Sequence, residues 1–187
     1  MNSKNDVKLE KAVIAGGCFW CMQPPYDALK GVVHTTVGYI GGKDPDPTYE
    51  EVCDGRSGHA EAIEVEFNPA VVSYEQVLDL FWRNIDPTAV NRQFCDMGDQ
   101  YRTAIFYYGE AQKKAAEESK ARWDKSGKFG RKIVTQIVPG GVFYPAEDYH
   151  QKYYQKNPER YRAYRNACGR EEYLETVWGT SGKGQHG

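Results

Sequence analysis

The sequence predicts an α+β protein: a two-layer α/β sandwich with helices packed on a mixed, largely antiparallel sheet and with long ordered loops. Three observations lead there. Apolar runs closed by glycines alternate irregularly with helical patterns, not in the strict strand–helix repeat of a parallel fold. The segment AEAIEVEF (60–67) alternates cleanly, so Ile63, Val65 and Phe67 share one face while Glu64 and Glu66 share the other. No G-x-G-x-x-G follows a strand, which leaves a doubly wound dinucleotide-binding fold without support. A ferredoxin-like arrangement meets all three, and 187 residues suit one domain, 1–187, with 1–10 and 180–187 as flexible ends.

Taken in order, KAVIAGG (11–17) reads as a buried strand ended by glycines. The next segment carries Cys18, Trp20, Met22, Tyr26 and Leu29 at helical spacing. Pro24 and Pro25 are tolerated only in a first turn, where backbone N–H groups lack intrahelical partners. The helix is therefore expected to start near Cys21, with Cys18 at or just before its N-terminus. VVHTTVGYIGG (32–42) is a second strand, and 43–59 a long ordered loop with a short helical piece. SYEQVLDLFWRNID (73–86) has a capping box, Ser73 with Gln76, and an apolar stripe of Val77, Leu80, Phe81 and Ile85. QYRTAIFYYG (100–109) reads as a strand and 110–127 as a solvated helix with i,i+4 charge pairs. RKIVTQIVPG (131–140) follows as a strand and PAEDYHQKYYQKN (145–157) as a helix stopped by Pro158.

Composition narrows the function classes. A net charge of −2 and a pI near 6.1 give no electrostatic footprint for nucleic acid. No apolar run is long enough to span a bilayer, and the polar N-terminus lacks a signal core, which predicts a cytoplasmic protein. Tyrosines outnumber phenylalanines 14 to 7, which suits a pocket lined by rings with one polar end. Five cysteines, an odd number, fit a reducing compartment with one or two active thiols better than a disulfide scaffold.

Cys18 and Cys21 bracket Phe19 and Trp20 directly after two glycines. At a helix N-terminus, unpaired N–H groups and the dipole lower a thiol's pKa, and the thiolate is the nucleophile. Cys21, about one turn on, lies within disulfide reach. Glu61 has the parity of the apolar strand face, and burial there keeps a carboxylic acid protonated near neutral pH. A thiol of low pKa beside an acid of high pKa is the pattern of a nucleophile with its general acid. Other readings stay open on spacing alone: half a zinc site, a thioredoxin-like disulfide oxidoreductase, or two buried core cysteines. No second C-x-x-C or H-x-x-x-H completes a zinc site, and no metal is expected.

GGCFWC, GYIGG, PTYEEVC, GHAEAIEVEF, DMGDQYRTAIFYY and FYPAEDYHQKYYQKNP together resemble peptide methionine sulfoxide reductases of the A type. The resemblance runs from about residue 12 to residue 158, in the family's order. It implies a thiol-dependent catalytic domain acting on the S epimer of methionine sulfoxide, free or in oxidised proteins, without a metal or organic cofactor. It places Cys18 as nucleophile and Glu61 as acid. Tyr49 and Tyr101 become donors to the sulfoxide oxygen, Asp96 a polar pocket residue, and Phe19 and Trp20 the wall that receives the S-methyl group. The GCFWC subtype makes Cys21 the resolving cysteine, with thioredoxin reducing the resulting disulfide. A monomer is expected. Cys168 is a possible second resolving cysteine, while Cys53 and Cys95 are assigned to packing. His59 and His150 are expected to brace the site rather than react.

Overall fold

In a computed structural model, residues 7–179 are described. The expected flexible end 180–187 and residues 1–6 lie outside them. The chain builds β1 (Glu10–Gly16), α1 (Phe19–Asp27), β2 (Val32–Ile40), α2 (Tyr49–Cys53), β3 (Ala60–Phe67) and α3 (Tyr74–Trp82). A two-stranded hairpin follows, β4 (Arg92–Gln93) and β5 (Asp96–Met97), then β6 (Thr103–Tyr107), α4 (Glu110–Ser126), β7 (Gln136–Pro139) and β8 (Tyr144–Pro145). Three helices close the chain: α5 (Tyr153–Lys156), α6 (Pro158–Ala167) and α7 (Arg170–Trp178).

The main sheet has the order β7-β6-β1-β3-β2-β8. Its central four strands, β6-β1-β3-β2, are antiparallel throughout; only the outer β6–β7 pair is parallel. That order, with α1 and α3 as the crossovers, is the ferredoxin-like arrangement expected from the sequence, widened by one short strand at each edge.

The period-2 pattern of β3 decides which face is buried under helices. Ile63, Val65 and Phe67 pack with Ala12, Ile14 and Ile105 against Met22 and Tyr26 of α1 and Val77, Phe81 and Trp82 of α3. The polar atoms of this core are satisfied: Trp82 Nε1 donates to Ser119 Oγ (2.7 Å) and the Tyr26 hydroxyl to the Val77 carbonyl (3.0 Å). The opposite face carries a smaller cluster of Val13, Ala15, Ala60, Ala62, Ala104 and Phe106. At Gly38 a Cβ would sit 2.3 Å from the Tyr144 carbonyl, so only glycine lets β8 close against β2.

The capping box forms as expected, Ser73 and Gln76 each bonding the other's backbone N–H. Three expectations are corrected. Helix α1 begins at Phe19 and carries both prolines in its interior. The Cys21 carbonyl, which Pro25 leaves without an intrahelical donor, accepts instead from Arg165 Nη1 (3.4 Å). Only 136–139 of the run 131–140 is strand. Ile133 N–H bonds the Asp124 carboxylate and Val134 N–H the Pro87 carbonyl, so this backbone is committed outside the ladder. Finally, 145–157 is broken: a 3₁₀ turn at Asp148–His150 precedes α5, and Lys152 between them is left-handed (φ 53°). The Lys152 ammonium offsets that strain by binding Asp27 and Thr35 Oγ1.

Candidate active site

The turn from β1 into α1 sets the site. Gly17 has φ +83°, and a Cβ there would lie 2.5 Å from Gln93 Cβ, so glycine is required for the chain to reverse into the helix. Cys18 is the N-cap residue, without a side-chain cap bond of its own. The orphan donor of the first turn, Phe19 N–H, instead finds Glu61 Oε2 at 3.1 Å. Glu61 stands directly opposite Tyr39 in the β2–β3 ladder and is 2% exposed. Burial raises its carboxyl to about 8, assisted by Asp96 and Cys21 and opposed by the Phe19 N–H. Glu61 is therefore protonated at neutral pH, as its strand parity predicts.

Cys18 and Cys21 are both buried and both free, joined by a side-chain hydrogen bond. The expected low pKa at Cys18 is corrected: burial pushes that thiol well up, and Cys21, Glu61 and Asp96 add to the effect. The Cys21 thiol is lowered, first by the hydrogen bond from Cys18 and then by the guanidiniums of Arg170 and Arg165. The dipole at the helix start is too small a term to outweigh full burial beside two acids.

Glu61, Asp96, Tyr49, Tyr101, Phe19 and Trp20 lie around the dithiol, and Cys168, although closed in a disulfide, lies 3.9 Å from Asp96. Tyr49 and Tyr101 are half-buried, and both phenols are raised chiefly by burial, Tyr49 also by its hydrogen bond with Cys53. They stay protonated, as donors must. Asp96 is raised by burial, and its carboxylate accepts a hydrogen bond from the Tyr164 hydroxyl.

Phe19 is buried against Tyr39, Val37 and Val52, with Trp20 and Tyr49 beside it. Trp20 is stacked on Tyr153 with centroids 3.8 Å apart and planes 6° apart. Its Nε1 donates to His150 Nδ1 (3.0 Å), so His150 braces the wall as expected. His59 does likewise for the loop before β3: Nδ1 accepts from Gly42 N–H and Nε2 lies 2.7 Å from the Asp44 carbonyl.

The assignment of Cys53 and Cys95 to packing is corrected. Cys53 is an exposed free thiol at the end of α2 that hydrogen-bonds Tyr49. Cys95 forms a disulfide with Cys168, across 73 residues of sequence. This bond ties the β4–β5 turn to the junction of α6 and α7, and Asp96 lies 3.9 Å from each of its sulfurs. Tyr164, Arg165 and Arg170 are site neighbours that sequence reading missed. Their only local signal is ordinary helical spacing, and the approach to Cys21 is made by tertiary folding.

A dithiol at a helix start, facing a protonated carboxylic acid and two phenols, defines a thiol-dependent oxidoreductase. A family model described as peptide methionine sulfoxide reductase matches residues 10–182. A peptide methionine sulfoxide reductase MsrA of Bacillus licheniformis is 51% identical over 172 residues, 92% of this chain and 95% of that protein. The MsrA of Bacillus subtilis is 49% identical, covering 92% and 97%. Among solved structures, methionine sulfoxide reductase A of Corynebacterium diphtheriae superposes with TM-score 0.78 at 35% identity, covering 84% of this chain and 79% of that one. Reduced Mxr1 from Saccharomyces cerevisiae gives 0.77 at 35% identity, covering 84% and 90%. Mxr1 in complex with Trx2 gives 0.57 at 28% identity, covering 82% and 90%. The chain belongs to the peptide methionine sulfoxide reductase family.

Proposed function

We propose that the protein reduces the S epimer of methionine sulfoxide, free or in oxidised proteins, by thiol chemistry centred on Cys18. The observation that carries this reading is the Phe19–Glu61 hydrogen bond, which sets a protonated carboxylic acid against the turn that bears the thiol. The substrate's S-methyl group enters the wall of Phe19 and Trp20, and its oxygen meets Tyr49, Tyr101 and Glu61. Asp96 completes the polar side of the pocket.

Cys18 passes its proton along the hydrogen bond to Cys21 as its sulfur attacks the sulfoxide sulfur. Glu61 protonates the departing oxygen while the two phenols hold the developing charge. The protonated oxygen passes from the methionine sulfur to the Cys18 sulfur as the bond between the two sulfurs breaks, so methionine leaves and Cys18 becomes a sulfenic acid. Cys21 then attacks that sulfur, expelling water and forming the Cys18–Cys21 disulfide. An external dithiol of the thioredoxin class returns both sulfurs to thiols, and no metal or organic cofactor takes part. The complex of the related Mxr1 with Trx2 supports that class of reductant. A reducing compartment, needed to recharge the dithiol, favours the cytoplasm. No helix among the described residues is long and apolar enough to cross a membrane.

The resolving role is proposed for Cys21, a reading supported by Cys168 being closed on Cys95; a second resolving role for Cys168 requires that bond to be reduced first. The test is incubation of the reduced protein with racemic methionine sulfoxide and dithiothreitol, resolving the remaining epimers. Loss of the S epimer alone, abolished in Cys18→Ser, is expected. Persistence of both epimers with wild-type protein would overturn the reading.

A further inference from the structure

The Cys95–Cys168 bond has a third group set against it. One oxygen of the Asp96 carboxylate lies 3.9 Å from the Cys95 sulfur and the other lies 3.9 Å from the Cys168 sulfur. The three side chains thus hold their ligand atoms within 4.8 Å of one another. A closed disulfide has no use for such a neighbour, since neither sulfur carries a charge or a proton to share. Two thiolates and a carboxylate, by contrast, are a ligand set. Tetrahedral zinc, with Zn–S of about 2.3 Å and Zn–O of about 2.1 Å, needs sulfur and oxygen roughly 3.6 Å apart. Asp96 already stands close to that separation from both sulfurs.

The surroundings suit the open form as well. Cys95 is exposed in the turn between β4 and β5, so an external dithiol can reach the bond and the sulfurs can part once it opens. Cys95 N–H donates to Cys168 Sγ (3.3 Å), and the Tyr164 hydroxyl, which donates to Asp96, lies 3.8 Å from the same sulfur. Donors placed in this way steady metal-bound thiolates and carboxylates. Phe94, next to Cys95, lies with its ring centroid 4.6 Å from the guanidinium of Arg170, which is buried to 2% exposure two residues after Cys168. That guanidinium is itself fixed by the Asn84 and Gly16 carbonyls. The stack keeps the two cysteine segments together after the bond between them is cut.

We propose that Cys95, Cys168 and Asp96 form a site for a thiophilic divalent cation of the zinc class, open only when the two cysteines are reduced. A dithiol of the thioredoxin class cuts the bond, leaving two thiols and its own disulfide. The cation then displaces one proton from each thiol and is held by two thiolates and the carboxylate, with water in the fourth position. Two sulfurs select zinc over magnesium or calcium, which take oxygen ligands. The cation takes no part in sulfoxide reduction. Its consequence for turnover, which alone rests on the reductase reading above, is inhibition: it withdraws Asp96 from the polar side of the pocket.

The test titrates the fully reduced full-length chain with Co²⁺ and then Zn²⁺ without oxygen, in a Cys18→Ser/Cys21→Ser background that removes the other dithiol. One Co²⁺ per chain with thiolate charge-transfer absorption, displaced by Zn²⁺, is expected. Zinc affinity, read against a chromophoric chelator, should fall at least 100-fold on adding Cys95→Ser or Cys168→Ser, and at least tenfold on adding Asp96→Asn. The chain with the Cys95–Cys168 bond closed needs no further substitution and should lack the thiolate band. No band in the reduced chain, the same band with the bond closed, or unchanged affinity in a folded Cys95→Ser variant overturns the proposal. Should the background fail to fold, reduced wild type must bind one thiolate-held Co²⁺ more than Cys95→Ser, and equal numbers overturn it. These arms use no substrate, so they stand or fall separately from the reductase reading. For the inhibition, zinc should slow first-turnover methionine formation in wild type at a concentration at least tenfold lower than in Cys95→Ser, and equal sensitivity overturns the link to the pocket.

Discussion

The backbone N–H of Phe19 donates to Glu61 Oε2 at 3.1 Å, so one hydrogen bond joins the first turn of α1 to the second residue of β3. It closes an orphan helix donor and fixes the acid beside the thiol at once. Its strength depends on protonation, because the N–H favours the carboxylate while burial favours the acid, and burial wins.

A pH dependence follows. Glu61 must be protonated to donate, so first-turnover methionine formation should fall by tenfold per unit above about pH 8. Glu61→Gln should lose about 10²–10⁴-fold in that step. Stopped-flow or quenched-flow measurement between pH 6 and 10 checks both; a rate that holds to pH 10 in the wild type would exclude Glu61 as the acid.

The same group sets a stability trend at lower pH. Between its ordinary 4.5 and about 8 the folded chain keeps a proton that the unfolded chain has lost. Native protein then binds more protons than unfolded, so stability falls as pH rises through that window, by up to ~1.4 kcal/mol per unit. Glu61→Gln should match wild type near pH 4 and exceed it at pH 8 in urea unfolding.

Cys21→Ser, which also loses the sulfur that accepts the Cys18 proton, should release one methionine per enzyme more slowly than wild type and then stop, with Cys18 held as a sulfenic acid that dimedone captures. Continued turnover with thioredoxin would mean that another sulfur resolves Cys18. Cys168→Ser, by contrast, should turn over near the wild-type rate, and its failure would make Cys168 an obligatory second resolver.

Tyr49→Phe and Tyr101→Phe each remove one donor that acts on developing charge. Each is expected to lower kcat about 100-fold, the scale for loss of one such donor, with KM little changed. A change confined to KM would assign the phenols to binding alone.

The Cys95–Cys168 bond closes a loop with 73 residues of separation. Chain-entropy reasoning gives it up to about 4 kcal/mol. Wild type under reductant and the Cys95→Ser variant should unfold at the same lower urea concentration, below oxidised wild type.

Much of this was legible in the chain. The parity of Glu61 followed from a clean period of two, and the cap at Ser73 from its spacing to Gln76. The start of α1 was misread because the cost of Pro25 was reckoned within one helix, whereas the freed Cys21 carbonyl is served by Arg165, 144 positions away. The pairing of Cys95 and the burial of Arg170 have the same character: each is decided by which distant segments meet, and nothing in the neighbouring residues records it. A low pKa at Cys18 was expected from the helix end alone, without the burial beside Glu61 and Asp96 that raises it.

The two outer strands, β7 and β8, are four and two residues long, and each ends in a proline, Pro139 and Pro145. Proline offers no N–H to an incoming strand, and so short an edge gives a stray chain little to extend. For a protein whose proposed partners include oxidatively damaged, partly opened polypeptides, this blunting matters. It can hold such chains by a single side chain in the pocket without its own sheet becoming a template on which they aggregate.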